Sequence, residues 1–379
     1  MRVLLFTRNL LYYTCELANG LTQAEADVLL LYPQDGGDAV VDPDKTAGDL
    51  VDEISEEGVG RKAIDLPQGT RLRDLPRTVM SILHAVRLAK RFRPDVIHVQ
   101  QNRDWRLYLT LRLLQRTAPI VLTLHDASAH PGEEWDKKSL FVRDYLRRTA
   151  RRIIVHGQSI RNQLAGSGID EAKIRIIPHG AYGLYRRWMN PVVKMDEQTV
   201  LFYGRMHKYK GLEILIDAIP LVQEQLPEAK FVIAGSGPAL DEMRPQLERF
   251  QNVQVMSRRI LNDETARLFQ EAAVIVLPYI EASQSGVINI AYAFGKPVVA
   301  SDVGALPEVV DHGATGLLVP PSDPQTLADA LVSLLSDRAL WNKCSEGAAK
   351  MADGPLSWRQ IARQTVEVYE EALAEFGKP

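Results

Sequence analysis

The sequence predicts an α/β protein made of two doubly wound domains, each with a parallel sheet. At 379 residues the chain is too long for one ordinary hydrophobic core. In both halves, short apolar segments rich in β-branched residues alternate with segments of helical periodicity. Repeated strand–helix–strand order requires parallel strands whose two faces are covered by helices.

The first half contains five predicted strands, at Val3–Thr7, Asp27–Tyr32, Asp95–Gln100, Ile120–Leu124 and Arg152–His156. Pro76 to Phe92 has helical periodicity. Its predicted buried stripe is Val79, Leu83, Val86 and Ala89, with Arg87, Lys90, Arg91 and Arg93 off that stripe. Residues 33–60 are rich in Asp and Gly and predict a surface loop with one short helix.

The second half contains six predicted strands, at Val200–Tyr203, Lys230–Ala234, Val253–Met256, Val274–Leu277, Pro297–Ala300 and Gly316–Val319. An irregular polar stretch after Ile176–Gly180 predicts a linker. We therefore expect an N-terminal domain at 1–185 and a C-terminal domain at 186–357. A final helix, 358–379, is expected to pack back on the first domain.

Composition indicates a globular protein of the cytoplasm. Hydrophobic residues make up 46% and charged residues 25% of the chain. No run of eighteen apolar residues could span a membrane, and the first residues predict a strand rather than a signal peptide. Cys15 and Cys344 lie far apart without metal-type spacing, so we expect a reduced compartment and no structural disulfide.

The net charge of −3 conceals a strong asymmetry along the chain. Residues 61–161 hold 21 Lys and Arg against 9 Asp and Glu, whereas residues 1–60 hold 3 against 12. Such a basic block predicts an anionic partner. We place a peripheral contact with an anionic membrane, at the inner membrane surface, on residues 71–116. The alternative is a set of solvated helix faces. No nucleic-acid-binding module accompanies the block, so we expect no nucleic-acid partner.

The segment after the strand ending at Tyr203 is the first candidate site. Gly204 and Arg205 follow the strand at once, and Lys210 stands where an apolar-periodic helix begins. Two cations at a strand-to-helix glycine turn are suited to binding a phosphate. The alternative is two surface cations near a turn.

A second candidate site, Pro278–Val287, follows the strand Val274–Leu277. Ser285 and Gly286 stand at the start of a predicted helix, where backbone N–H groups lack intrahelical partners and glycine allows a ligand to approach closely. The alternative is a structural serine cap.

The ordered motifs of the second half resemble the nucleotide-binding domain of family-4 glycosyltransferases, which have the two-domain GT-B fold with an interdomain cleft. The matching motifs are Gly204-Arg205 with Lys210-Gly211, Ala234–Pro238, Gly295–Ala300, Val303–Val310 and Thr315–Pro320. The match is close over 199–325. It is looser in the first half, at Asp95–Val99, Thr123–Asp126 and Ile174–Gly180.

This resemblance implies retaining transfer of a hexose-type sugar from a UDP- or GDP-sugar to a glycan, lipid-linked or small-molecule acceptor. Arg205 and Lys210 would hold the donor diphosphate and neutralise the leaving group. Gly204, Ser285, Gly286 and Val287 would bind the same diphosphate through the backbone. His125 would reach the donor sugar as a third catalytic residue, and Asp126 and His130 would line the acceptor side.

One departure from the family concerns its two glutamates eight residues apart. Ala282 and Ile290 occupy those positions, and neither can accept a hydrogen bond with its side chain. Glu281 and Gln284 lie close by and are expected to bind the donor, and Asn289 is a further polar residue near them. The Gln284-Ser285-Gly286 element is similar to that of a subgroup of the family. The identity of the donor sugar therefore stays open.

No cofactor and no metal are expected, since two cations serve the diphosphate. Asp42-Pro43-Asp44 imitates a metal-binding motif, but it lies in an acidic loop without a preceding strand. Two other functions remain alternatives. A nucleotide-sugar 2-epimerase would need acid and base groups over the sugar, and the missing glutamates argue against it. A non-catalytic nucleotide-sugar-binding protein is the other.

Overall fold

The computed structural model describes residues 1–37, 39–65, 74–101, 104–127 and 136–376. The chain forms two compact units. Residues 1–178 and 358–379 make the first unit, and residues 179–357 make the second. Each unit holds a parallel sheet with helices, which confirms the predicted α/β class and the doubly wound architecture.

The first unit has a seven-stranded parallel sheet. Its strands are β1 Arg2–Phe6, β2 Asp27–Pro33, β3 Gly60–Ile64, β4 Val96–Gln100, β5 Ile120–Leu124, β6 Arg152–Val155 and β7 Ile174–Ile176. Its helices before residue 178 are α1 Leu11–Gln23, α2 Ala47–Ile54, α3 Leu75–Phe92, α4 Trp105–Leu114, α5 Lys137–Thr149 and α6 Gln158–Gly166. The strands lie in the order β3-β2-β1-β4-β5-β6-β7.

The two edge strands of this sheet, β3 and β7, are absent from the sequence prediction. β3 has the sequence Gly-Arg-Lys-Ala-Ile and is mostly exposed, and β7 is three residues long. An edge strand is covered less than a central strand, so it needs no continuous apolar run. The short helix predicted within residues 33–60 is α2.

Helix α3 buries a different stripe from the predicted one. Val86 and Ala89 are buried as expected, but Val79 and Leu83 are exposed. Ile82 and Ala85 lie in the core in their place. The helix carries apolar residues around much of its circumference, so periodicity alone selects the stripe poorly. The two alanines of the buried stripe allow the close helix packing that a bulkier stripe would prevent.

The second unit has a six-stranded parallel sheet. Its strands are β8 Thr199–Tyr203, β9 Lys230–Gly235, β10 Val253–Ser257, β11 Val274–Leu277, β12 Val298–Ser301 and β13 Gly316–Val319. Its helices are α7 Leu212–Gln225, α8 Pro238–Leu247, α9 Asn262–Glu271, α10 Gly286–Ala293, α11 Pro324–Ser336 and α12 Arg338–Asp353. The strands lie in the order β10-β9-β8-β11-β12-β13, so successive strands are added outward in one direction from β8 and in the opposite direction from β11.

The boundary between the units lies at residue 178, whereas the sequence suggests 185. Backbone hydrogen bonds explain the difference. The amide of Ala181 donates to the carbonyl of Leu356 at 2.8 Å, and the amide of Tyr182 donates to that of Asn289 at 3.1 Å. Residues 179–185 are therefore attached to the second unit.

The final helix, α13 (Trp358–Glu375), packs on α1 in the first unit. A Cβ on Gly20 of α1 would overlap the carbonyl oxygen of Trp358, so the backbones of α1 and α13 approach too closely for any side chain at position 20. Arg152 at the start of β6 forms ion pairs with Glu371 at 2.7 Å and Glu375 at 2.6 Å. These contacts hold α13 against the sheet.

Cys15 and Cys344 are buried free thiols, one in each unit. Across the part of the chain that the structure describes, no helix combines the length and the apolar content needed to cross a membrane.

Candidate functional site

The strand order of the second unit indicates where a ligand would bind. β8 and β11 are neighbours in the sheet. The chain continues from β8 through α7 to β9 on one side of this pair, and from β11 through α10 to β12 on the other side, which makes this a topological switch point. Ligands of open α/β sheets bind outside the carboxyl ends of the strands at such a point. Gly204-Arg205 follows β8 and Pro278-Tyr279 follows β11. Both predicted candidate segments therefore lie at the switch point.

The two loops at the switch point are joined directly. The backbone amide of Ile280 donates a hydrogen bond to the carbonyl of Tyr209 at 2.8 Å. Gly211 has φ +68°, and a Cβ there would overlap the carbonyl oxygen of Pro278. Glycine is therefore required at 211 both for its left-handed conformation and for the close approach of the two backbones.

Lys210 points into this junction rather than into solvent. Its side chain is 8% exposed, and Nζ donates a hydrogen bond to the Tyr279 hydroxyl at 2.6 Å. Burial lowers the pKa of Lys210 to about 8; nearby Tyr209 opposes the shift and the charge of Arg205 adds to it. An ammonium that is held in low dielectric and pairs with no carboxylate among the described residues is prepared for an anionic ligand.

The start of α10 faces the same place. Ser285 occupies the N-cap position, but its side chain makes no capping hydrogen bond. Its hydroxyl lies 3.4 Å from that of Tyr279. The structure therefore does not show the structural serine cap that was the alternative. The first N–H groups of α10 have no intrahelical acceptor, and the positive end of the helix dipole favours an anion there.

Gly204 lies between the cation and the helix start. It has φ +120°, and a Cβ at this position would be 3.5 Å from Lys210 Nζ and 3.6 Å from Val287 Cγ2. Arg205 is exposed, and its charge acts on both Lys210 and Tyr279. The structure thus brings together six of the predicted residues, namely Gly204, Arg205, Lys210, Ser285, Gly286 and Val287.

The polar residues near the missing glutamates have separate positions. Ala282 and Ile290 are buried apolar residues, so neither family position carries a carboxylate. Glu281 is exposed and Gln284 is partly buried. Asn289 is buried, and its side-chain nitrogen donates to the carbonyl of Ser285 at 3.4 Å. Asn289 therefore supports the first turn of α10.

His125 and Asp126 follow β5 in the first unit. His125 is 2% exposed, and its Nε2 lies 3.2 Å from Gln100 Oε1. Its ring packs edge-on against Tyr13 at 4.7 Å between centroids and at 4.6 Å from His156. The backbone amides of His125 and Asp126 both donate to Gln101 Oε1. The roles of His125 and Asp126 stay predictions, and His130 lies outside the described residues.

Two residues that the structure places at these strand ends have no individual role in the sequence prediction. Tyr279 contacts both Lys210 and Ser285, and only its position after β11 could have suggested it. His156 follows β6 as His125 follows β5, so the same signal was available. Burial lowers the pKa of His156 to about 4, although its hydrogen bond to the carbonyl of Ile177 and the charge of Asp126 act in the opposite direction.

Within the described ranges, no three His, Cys, Asp or Glu side chains cluster so that they could hold a metal ion. Asp42 of the acidic loop instead pairs with Lys45, whose ammonium also reaches Glu53 at 2.7 Å.

Two doubly wound units, the second with a cationic switch point beside a helix start, give the chain the GT-B class of fold. Two family models match the chain, Glycosyltransferase Family 4 over residues 12–181 and Glycosyl transferases group 1 over residues 197–337. The chain belongs to the family-4-like glycosyltransferases of the GT-B fold.

Individual proteins are similar to the chain over most of its length. An uncharacterised glycosyltransferase of Methanocaldococcus jannaschii is 29% identical over 75% of this chain and 77% of its own. The structure of Anabaena HepE in complex with UDP-glucose has a TM-score of 0.73 at 19% identity, covering 98% of this chain and 100% of that chain. A UDP-GlcNAc 2-epimerase from Neisseria meningitidis has a TM-score of 0.62 at 14% identity, covering 98% and 100%. At these identities the two structures show the fold alone, and the epimerase is the weaker match.

Proposed function

We propose that this protein is a retaining, metal-independent glycosyltransferase of the cytoplasm. It would transfer a hexose-type sugar from a UDP- or GDP-sugar to a glycan, lipid-linked or small-molecule acceptor. The observation that carries the proposal is the buried Lys210 ammonium, 2.6 Å from the Tyr279 hydroxyl at the switch point of the second unit. A cation buried at that place, with Arg205 and the start of α10 beside it, supports a diphosphate ligand.

In the proposed reaction, the bond between the anomeric carbon and the β-phosphate oxygen breaks, and the diphosphate leaves with the electron pair. Lys210, Arg205 and the first N–H groups of α10 stabilise the negative charge that develops there. The acceptor oxygen forms the new bond on the face that the diphosphate leaves. Its proton passes to a β-phosphate oxygen.

Because the two glutamates are missing, binding of the donor depends more on Lys210, Arg205 and the start of α10. Ala282 and Ile290 offer no acceptor to sugar or ribose hydroxyls, and both are buried. In the proposal, the diphosphate contacts therefore supply most of the donor affinity. Gln284, in the same loop, is the polar side chain proposed to contact the donor in place of a carboxylate.

The proposal is tested by a thermal-shift screen of the full chain against UDP, GDP, ADP and dTDP sugars, with the matching nucleoside monophosphates as controls. We expect one diphosphate sugar to raise the melting temperature well above its monophosphate. That donor is then incubated with an acceptor panel, and the anomeric configuration of any product is read by NMR. Isomerised donor in the absence of acceptor would favour an epimerase instead. Tight binding without turnover on any acceptor would indicate a binding protein, and inversion would contradict the retaining mechanism.

We predict that diphosphate affinity falls as the pH rises above about 8. The pKa of Lys210 is near 8 in the free protein, so the ammonium loses its proton between pH 7 and 9. A bound diphosphate favours the charged form, hence binding above pH 8 takes up a proton and weakens about tenfold per pH unit.

Calorimetric titration of UDP at pH 7, 8 and 9, in two buffers of different ionisation enthalpy, measures both the affinity and the proton uptake. The Lys210→Met variant is the control, and its weaker binding should not change with pH in this window. Equal UDP affinity of the unmutated chain at pH 7 and 9 would show that the Lys210 ammonium does not bind the diphosphate.

A further inference from the structure

Three neighbouring helices of the first unit share an unusual outer surface. Helices α3, α4 and α5 contribute their inner faces to one core cluster, and α4 packs between α3 and α5. Their outer faces are therefore turned to the same side. Large apolar side chains are exposed there, among them Met80 (70%), Phe141 (58%) and Leu113 (53%). The others are Leu75, Val79, Leu83 and Leu109.

The same surface is strongly cationic. The three helices carry four, two and five Lys and Arg residues respectively, and all of these except the buried Arg106 and Arg147 are at least partly exposed. Their sequences contain a single acidic residue, Asp144, which pairs with Arg143 at 2.8 Å. The surface includes the exposed cations that α3 and α4 contribute to the basic block 71–116, and it extends the block through α5.

Apolar and cationic side chains alternate along single faces of these helices. On α4 and its C-terminal end, exposed Leu109, Arg112, Leu113 and Arg116 recur at the spacing of one helical face. On α3, the exposed Leu75, Val79 and Leu83 continue at the same spacing into Arg87. Lys137, Phe141 and Arg148 lie on one face of α5. The apolar residues are therefore not a separate patch beside the cations.

We propose that this outer face of α3, α4 and α5, called here the basic–apolar face, docks the protein on an anionic lipid bilayer. Monomeric proteins rarely expose several large apolar residues together unless the surface has a partner. Helices lying in a bilayer interface insert Leu, Met and Phe side chains among acyl chains while Lys and Arg contact the lipid phosphates. Within the three helices Asp144 is the only carboxylate, and Asp74 and Asp136 lie at the starts of α3 and α5, so little along the helices opposes a negative surface.

The charge distribution favours a membrane over other occupants. In a symmetric dimer through this face, each cationic surface would meet an identical one, and the like charges would repel. Nucleic acid would satisfy the cations but would leave the exposed Leu and Met side chains without apolar contact. A bilayer with anionic headgroups satisfies both kinds of side chain. The proposal concerns this face only, so it is independent of the proposed transfer reaction.

The full chain is tested by co-sedimentation with vesicles of phosphatidylcholine alone and of phosphatidylcholine with about 30% phosphatidylglycerol. We expect binding to the anionic vesicles, which 0.5 M NaCl reduces without abolishing because part of the contact is apolar. The Met80→Ser/Leu113→Ser/Phe141→Ser variant should lose at least tenfold in vesicle affinity. These side chains are largely exposed, and the variant loses the edge-on contact of Phe141 with Tyr108, so its melting temperature should fall by only a few degrees.

The charge variant Arg87→Gln/Lys90→Gln/Arg112→Gln should weaken binding by about fivefold per cation. A matched control, Lys343→Gln/Lys350→Gln/Arg359→Gln, removes three exposed cations from α12 and α13 and should bind like the unmutated chain. Equal weakening by the control would show that vesicle binding depends on net charge alone, and it would overturn the assignment to this face.

No binding to anionic vesicles would overturn the proposal, as would unchanged binding by the apolar variant. Gel filtration with light scattering and an RNA-binding assay are run on the same proteins. A dimer, or an RNA complex, that the apolar variant loses would assign the face to that partner instead of a membrane.

Discussion

Lys210→Met should abolish most transfer while leaving the fold intact. The methionine keeps much of the aliphatic volume of Lys210 but removes the ammonium that the proposal places on the leaving diphosphate. Loss of one preorganised group at a developing charge lowers turnover by about 10²–10³-fold. Initial rates of transfer, with the donor that the ligand screen identifies, measure the effect.

The stability of Lys210→Met distinguishes a ligand-binding lysine from a structural one. The pKa of Lys210 in the folded chain is about 8, below the usual 10.5, so burial of the charge costs stability below pH 8, and that cost disappears as the pH rises towards 10.5. At pH 7 the variant should therefore melt at the same or a higher temperature. Lys208→Met is the matched control, because Lys208 is exposed and pairs with Glu242 at 3.5 Å near the protein surface. Near-normal turnover by Lys210→Met, or the same loss in Lys208→Met, would contradict the proposed diphosphate site.

Gly211→Ala should destabilise the chain by about 3 kcal/mol or more. The residue has φ +68°, which costs a non-glycine residue about 1 kcal/mol by itself. The added methyl would also overlap the carbonyl oxygen of Pro278, so the loops after β8 and β11 must separate. Scanning calorimetry of the full chain measures the shift. UDP affinity should fall as well, because the same loops hold Lys210 and Tyr279.

Gly313→Ala is a close control for this prediction. Gly313 lies in the same unit with φ +74°, but a Cβ there would have no atom within 4 Å. It should show only the conformational cost of about 1 kcal/mol and keep full UDP affinity. If the two variants melted at the same temperature, backbone contact at Gly211 would not be what joins the two loops.

Much of the second unit could be predicted from sequence because its signals are local. β11 and β13 have the predicted bounds, β8, β9 and β10 differ by one residue at one end, and β12 is shifted by one residue at both ends. Apolar runs flanked by glycine turns identify buried parallel strands without knowledge of their neighbours. Gly204, Lys210 and Gly286 were identified because phosphate-binding turns need glycine and a cation close together in sequence.

The pairing of Tyr279 with Lys210 could not be predicted in this way. The two residues are 69 positions apart, and their contact arises only because β8 and β11 are adjacent in the sheet. The same applies to the side chain of Ser285. Its N-cap position is readable from the sequence, but whether its hydroxyl caps the helix or faces Tyr279 depends on the neighbouring loop.

The sequence by itself determined the α/β class, the two sheets, the order of the glycine motifs and the candidate diphosphate residues. Each of these depends on residues within a few positions of one another. Only the tertiary structure decided which stripe of α3 is buried, that Lys210 is buried against Tyr279, and that three helices share the basic–apolar face. These features join residues far apart in the chain, and packing of the sheets selects them because burial and pKa depend on distance in space.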